Sequence, residues 1–106
     1  MAWFYLFCAG LLEIAWAYAM KRSNGFTLPV PTVITLVTML ASFALLSVSM
    51  KALPLGTAYT VWTGIGAAGA FLVGIIVLGE SAAPMRLLAA ALIVTGIVLM
   101  KLSSTQ

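Results

Sequence analysis

The chain has no histidine and no aspartate, a single cysteine, and only two acidic residues, Glu13 and Glu80. Without histidine, and with Cys8 as the one thiol, there is no set of nitrogen and sulfur donors to hold a transition metal and no intramolecular disulfide to form. No metal and no cofactor are therefore expected, and Cys8 reads as a small apolar filler. Charge is scarce as well. Charged residues make up 7% of the chain against 64% hydrophobic, with a mean hydropathy of +1.22, which excludes a water-soluble domain and leaves no polar segment to carry an enzyme active site. The net charge of +3 comes from Lys21, Arg22, Lys51, Arg86 and Lys101, spread over predicted helix ends rather than gathered in a patch. That distribution indicates orientation in a membrane, not nucleic-acid binding.

What the chain does have is long apolar runs. Four stretches, about 3–20, 32–50, 58–78 and 85–100, each approach the ~20 residues needed to cross a bilayer. The expected fold is an all-α integral membrane protein, with four transmembrane helices forming one domain over residues 1–106. The first stretch is not a cleavable signal peptide on this reading. No basic segment precedes it, and Glu13 interrupts what would be its apolar core.

Glu13 is the organising residue. An ionised acid at the depth of the hydrocarbon core costs roughly a few kcal/mol even on lenient insertion scales, so a mid-membrane carboxyl points to function. A group that can be neutral or charged can hold a proton and a cation alternately, the minimum chemistry of a proton-coupled carrier. The alternative is an acid that only joins helices together.

In the second stretch Thr35, Thr38, Ser42 and Ser49 share one helical face, with Ser42 at mid-depth like Glu13. Such hydroxyls often only bond back to the carbonyl one turn earlier. The third places Tyr59, Trp62 and Gly66 on one face. Its run Thr63 to Ala70, followed by Gly74, is rich in small residues at spacings of four, which let backbones approach closely or bend. Glu80 and Arg86 are expected to meet as a surface ion pair. In the fourth, Ala89 and Gly96 lie a heptad apart as a candidate packing seam, and Lys101 is either an interfacial anchor or a charge facing a vestibule.

Alternating-access carriers are commonly built from two related halves with the site between them, and four helices supply only one half. Lys51 and Lys101 flank one side of the membrane and Lys21, Arg22 and Arg86 the other, a bias too small to fix one orientation, so oppositely inserted copies could pair.

Several strings carry a family resemblance: Ala-Gly-Leu-Leu-Glu13-Ile-Ala-Trp16, Met20-Lys21-x-Ser-Asn-Gly25-Phe26, Leu53-Pro54-x-Gly56-Thr-Ala-Tyr59-x-x-Trp62-Thr-Gly-Ile-Gly66, and Gly79-Glu80-Ser. Over essentially its whole length the chain resembles the small multidrug resistance family, and most closely its guanidinium-exporter branch. Trp16, the Trp62-Thr-Gly-Ile-Gly66 string and Lys101 favour that branch over the quaternary-ammonium branch. The resemblance implies an antiparallel homodimer of the bacterial inner membrane, with dual or fixed topology, exporting guanidinium-type cations in exchange for protons through a shared pair of Glu13 carboxyls. By position, Trp16, Ser42, Tyr59 and Trp62 would surround Glu13. Gly64, Gly66 and Gly69 would mark the flexible part of the third helix, and the fourth helix would form the main dimer seam. Two departures bear on orientation: Leu28 follows Thr27 where a basic residue is common, and Arg22 stands where an aromatic is often found. The competing readings are a broader exporter of quaternary ammonium compounds and, in a different class, a structural subunit of a larger membrane complex.

Overall fold

A computed structural model describes residues 1–103, in which the chain forms four α-helices: α1 (Ala2–Arg22), α2 (Pro29–Ser49), α3 (Leu55–Ile76) and α4 (Pro84–Ser103). Each is long and apolar enough to cross a membrane. At 1.5 Å per residue, the 21 residues of α1 extend about 31 Å, close to the thickness of a hydrocarbon core.

The prolines explain where the helices begin. Pro29 is the first residue of α2 and Pro84 the first of α4, while Pro54 is the N-cap of α3. A helix's first turn leaves its N–H groups unpaired, so proline loses nothing there and its fixed φ favours the start. The second, third and fourth helices consequently start earlier than the apolar runs alone suggest, and α4 continues through Lys101 to Ser103.

The turn between α1 and α2 is built on Ser23, which is fully buried. Its hydroxyl donates to the Met20 carbonyl at 2.6 Å and accepts from the Phe26 N–H at 3.0 Å, while its carbonyl accepts from the Thr27 and Leu28 N–H groups. This network holds Asn24, Gly25 and Phe26 at φ of 51°, 71° and 65°. Only glycine adopts that region without cost, so the bonds to Ser23 offset the strain at Phe26.

α1 is the central helix, with α2 and α3 packed against it, while α4 packs on α3 and reaches α1 through Lys101 over Trp3. Thr35, Ser42 and Ser49, seven residues apart, are fully buried along the α1–α2 seam, where their small size lets the helices approach. Thr35 and Ser49 bond back to carbonyls of their own helix, as does the partly buried Thr38. Ser42 alone among them bonds across helices. An apolar cluster of Leu6, Ala9, Leu46, Leu53, Ala58, Val61 and Trp62 fills the end of the bundle that carries the N-terminus.

The molecule measures 43 × 34 × 16 Å and is flat in its shortest direction. None of α4 is buried, and a Cβ placed on Gly96 would meet open space, so the Gly96 end of the seam finds no neighbour among the described residues. The expected Glu80–Arg86 ion pair does not form. Arg86 lies over the Phe71 ring at 5.0 Å, and Glu80 folds back against Gly74, donating its N–H to the Gly74 carbonyl.

Replacing Ser23 with alanine removes a buried hydroxyl that makes two hydrogen bonds, and should destabilise the protein by about 1–2 kcal/mol. Thermal unfolding in detergent, followed by circular dichroism, measures this. An unchanged midpoint would mean that the turn is held by the backbone alone.

Candidate functional site

Glu13 sits near the middle of α1 and points at α3. The contact is close: a Cβ on Gly66 would coincide with the Glu13 carboxyl group and lie 2.7 Å from its Cγ. The crossing is tight on both sides of this point. A Cβ on Gly10 would fall 2.6 Å from Ile65 Cγ2, and one on Gly69 would strike Ile14. Gly10, Glu13 and Ile14 thus mesh with Ile65, Gly66 and Gly69 over about one turn of each helix. Gly64 faces the other way, and a Cβ there would lie 2.8 Å from Ile97 Cδ1 of α4. The glycines of α3 are therefore shared between two neighbours, within an unbroken helix.

One turn before Gly66, Trp62 donates its indole N–H to Ser42 Oγ at 3.0 Å, and Ser42 donates to the Ala9 carbonyl at 2.7 Å. This buried chain ties α3 to α2 and α2 to α1. It also uses the Trp62 N–H and the Ser42 proton, so neither is directed at Glu13. Instead they fix an aromatic wall. Trp16 meets Phe43 edge-on with centroids 6.5 Å apart, Phe43 meets Trp62 at 5.8 Å, and Trp62 meets Tyr59 at 5.8 Å. The wall runs from buried Trp62 to Tyr59, which is 54% exposed.

Two groups in this region are buried without a partner: Glu13 Oε1, an acceptor, and Trp16 Nε1, a donor. They are three residues apart on α1, yet they do not bond each other. Lys101 is elsewhere. Its ammonium lies 4.6 Å over the ring of Trp3, and Trp3 is ten residues, or about 15 Å of helix, from Glu13. The sequence-based site residues thus fall into a central group of Glu13, Trp16, Ser42, Tyr59, Trp62 and Gly66, flanked by Gly64 and Gly69, with Lys101 outside it. Residue patterns had not singled out Phe43, Gly10 or the Ala9 carbonyl. The position of Phe43 beside Ser42 was the available signal for the first, while the other two emerge only from the helix crossing.

Residues 1–93 match the family described as Small Multidrug Resistance protein. The chain belongs to the small multidrug resistance family. Its relatives include proteins named guanidinium exporter from Escherichia coli K12, 57% identical, and from Citrobacter freundii and Salmonella typhimurium, each 55% identical. All three alignments cover 98% of this chain and 99% of the relative. With its four spans, this small multidrug resistance protein is a multi-pass protein of the bacterial inner membrane.

The closeness at Gly66 gives a paired test. Gly66→Ala must either displace the Glu13 side chain or part α1 from α3, and should cost about 1–3 kcal/mol. Gly96→Ala adds a methyl group that meets nothing within one chain, so in monomer dissociated by detergent it should be neutral or stabilising by up to about 1 kcal/mol. Equal melting temperatures for the two variants would show that the α1–α3 contact is not tight in solution.

Proposed function

We propose that this chain exports guanidinium and small guanidinyl cations in exchange for protons, as an antiparallel homodimer in which two Glu13 carboxyls face one cavity. The observation that carries this reading is the Glu13 carboxyl itself, at mid-span, braced against Gly66, with Oε1 buried and unpartnered. A buried acceptor without a partner costs about 1–3 kcal/mol, and either a bound proton or the N–H donors of a bound cation relieve it.

Guanidinium suits the site. It is planar and weakly hydrated, and it directs two parallel N–H donors at a carboxylate, while the ring faces of Trp16, Tyr59 and Trp62 offer cation–π contact. The Trp62–Ser42–Ala9 bonds hold that wall stiffly, which favours a small flat cation over a bulky ammonium. The guanidinium-exporter relatives support the same substrate class. A second copy is supported by the uncovered α4 and by the half-exposed Tyr59, which leaves the aromatic wall open on one side. The activity is transport: the cation crosses chemically unchanged, and Glu13 exchanges only a proton for it.

Purified protein in liposomes should move guanidinium against an imposed proton gradient, and Glu13→Gln should abolish both cation binding and proton release, because an amide can neither titrate nor neutralise a cation. Proton-coupled transport surviving in that variant would refute the shared-site reading. The pH dependence has a definite sign. A cation that binds only the deprotonated carboxyl must displace any proton there, so apparent affinity weakens as pH falls through the carboxyl pKa and levels off at high pH. Tryptophan fluorescence titrations between about pH 5 and pH 9 test it. An affinity independent of pH over that window would point to a channel or uniporter.

A further inference from the structure

The chain has a second feature that cation export does not use, at the end of the bundle carrying the N-terminus. The ends of α1, α3 and α4 enclose a groove of about 330 Å³ whose floor and walls are apolar, with Phe7, Ile65 and Val98 among them. Its rim is polar on one side only, where Lys101 places its ammonium 4.6 Å over the Trp3 ring. Beside that contact the Trp3 indole N–H is buried with no acceptor. No carboxylate of the described residues answers Lys101: Glu80 follows α3 at the opposite end of the bundle, and Glu13 lies at mid-span. The ammonium therefore rests on a ring face, a contact worth about 0.5–2 kcal/mol.

We propose that this groove is a binding site for an anionic phospholipid such as phosphatidylglycerol, with its phosphate on Lys101 and an acyl chain along the apolar floor. Two properties select that ligand. The charge is positive and unanswered by any carboxylate of the described residues, so the head group is an anion. The floor is apolar and lies between membrane-spanning helices, so the ligand carries a hydrocarbon tail, which a free phosphate lacks. A second copy of the chain is a poorer occupant electrostatically. In parallel it would bring its own Lys51 and Lys101 to this face, and inverted it would bring Lys21, Arg22 and Arg86 against the single carboxylate of Glu80, a net positive charge in either case.

The test is retention of lipid by the full-length protein, reconstituted with equal phosphatidylglycerol and phosphatidylcholine, stripped with detergent and weighed by native mass spectrometry. The wild type should keep phosphatidylglycerol in preference to phosphatidylcholine. Lys101→Gln should lower that retention about five-fold, the equivalent of roughly 1 kcal/mol for one basic residue at the membrane surface, and Lys101→Arg should restore it. Val98→Trp fills the groove while leaving the charge in place and should lower retention to a similar degree. Lys51→Gln, on the same membrane face but outside the groove, should leave it unchanged. Equal retention of the two lipids, or no loss in Lys101→Gln, would overturn the proposal. An equal loss in Lys51→Gln would replace the site with diffuse surface attraction. Retention unaffected by Val98→Trp, together with full displacement by inorganic phosphate, would make it a simple anion site. A monomeric Val98→Trp beside an oligomeric wild type would identify a second copy as the occupant. Any of these three results refutes the lipid.

Discussion

The crossing of α1 and α3 is the contact on which the remaining geometry depends. With Gly66 opposite Glu13, Gly69 opposite Ile14 and Gly10 opposite Ile65, neither helix can carry a larger side chain at its own small position without moving the other. This closeness puts a carboxyl group directly against a neighbouring backbone at mid-membrane. The side chain has little freedom to turn away, and lipid cannot reach between. A carboxyl on a loosely packed helix could snorkel or rotate toward water, whereas here the fold determines where its acidity is presented.

The second tie, from Trp62 through Ser42 to the Ala9 carbonyl, complements the first by fixing rings instead of charge. In a low-dielectric environment two short, fully buried hydrogen bonds are more valuable than in water, and they leave no hydroxyl proton free to rotate. The outcome is a division of labour among α1, α2 and α3. Polar groups that could have solvated Glu13 are spent on holding aromatics in place, while Glu13 and the Trp16 N–H stay unpaired. Unsatisfied groups inside a satisfied frame are the feature that marks this region as a candidate site.

Cations in this chain are met by rings as a rule. Arg22 lies over Tyr18 at 5.9 Å, Arg86 over Phe71 at 5.0 Å and Lys101 over Trp3 at 4.6 Å. With only two acids in the sequence, ion pairing cannot serve five basic side chains, so aromatic faces near the helix ends take its place. Glu80, expected to pair with Arg86, instead closes the end of α3 over Gly74. The same economy keeps Glu13 free of any basic residue of its own chain.

Composition and periodicity alone determined that the chain crosses the membrane four times and that Glu13 lies at the middle of the first span, because the cost of polar groups in hydrocarbon leaves few other ways to arrange so apolar a sequence. They also marked Ser42, Tyr59, Trp62 and the glycines, since residue type and spacing suffice to place groups on one helical face. The strings around Glu13 and Trp62 carried the family. Three things were decided only by the tertiary structure. The prolines read as loop markers, yet their missing N–H suits a first turn, so helices begin on them. The partners of Ser42, Trp16 and Lys101 depend on rotation and tilt of one helix against another, which spacing within a helix does not encode. The meshing of Gly10, Glu13 and Ile14 with Ile65, Gly66 and Gly69 is likewise a property of two surfaces at once, and neither stretch of sequence contains the other.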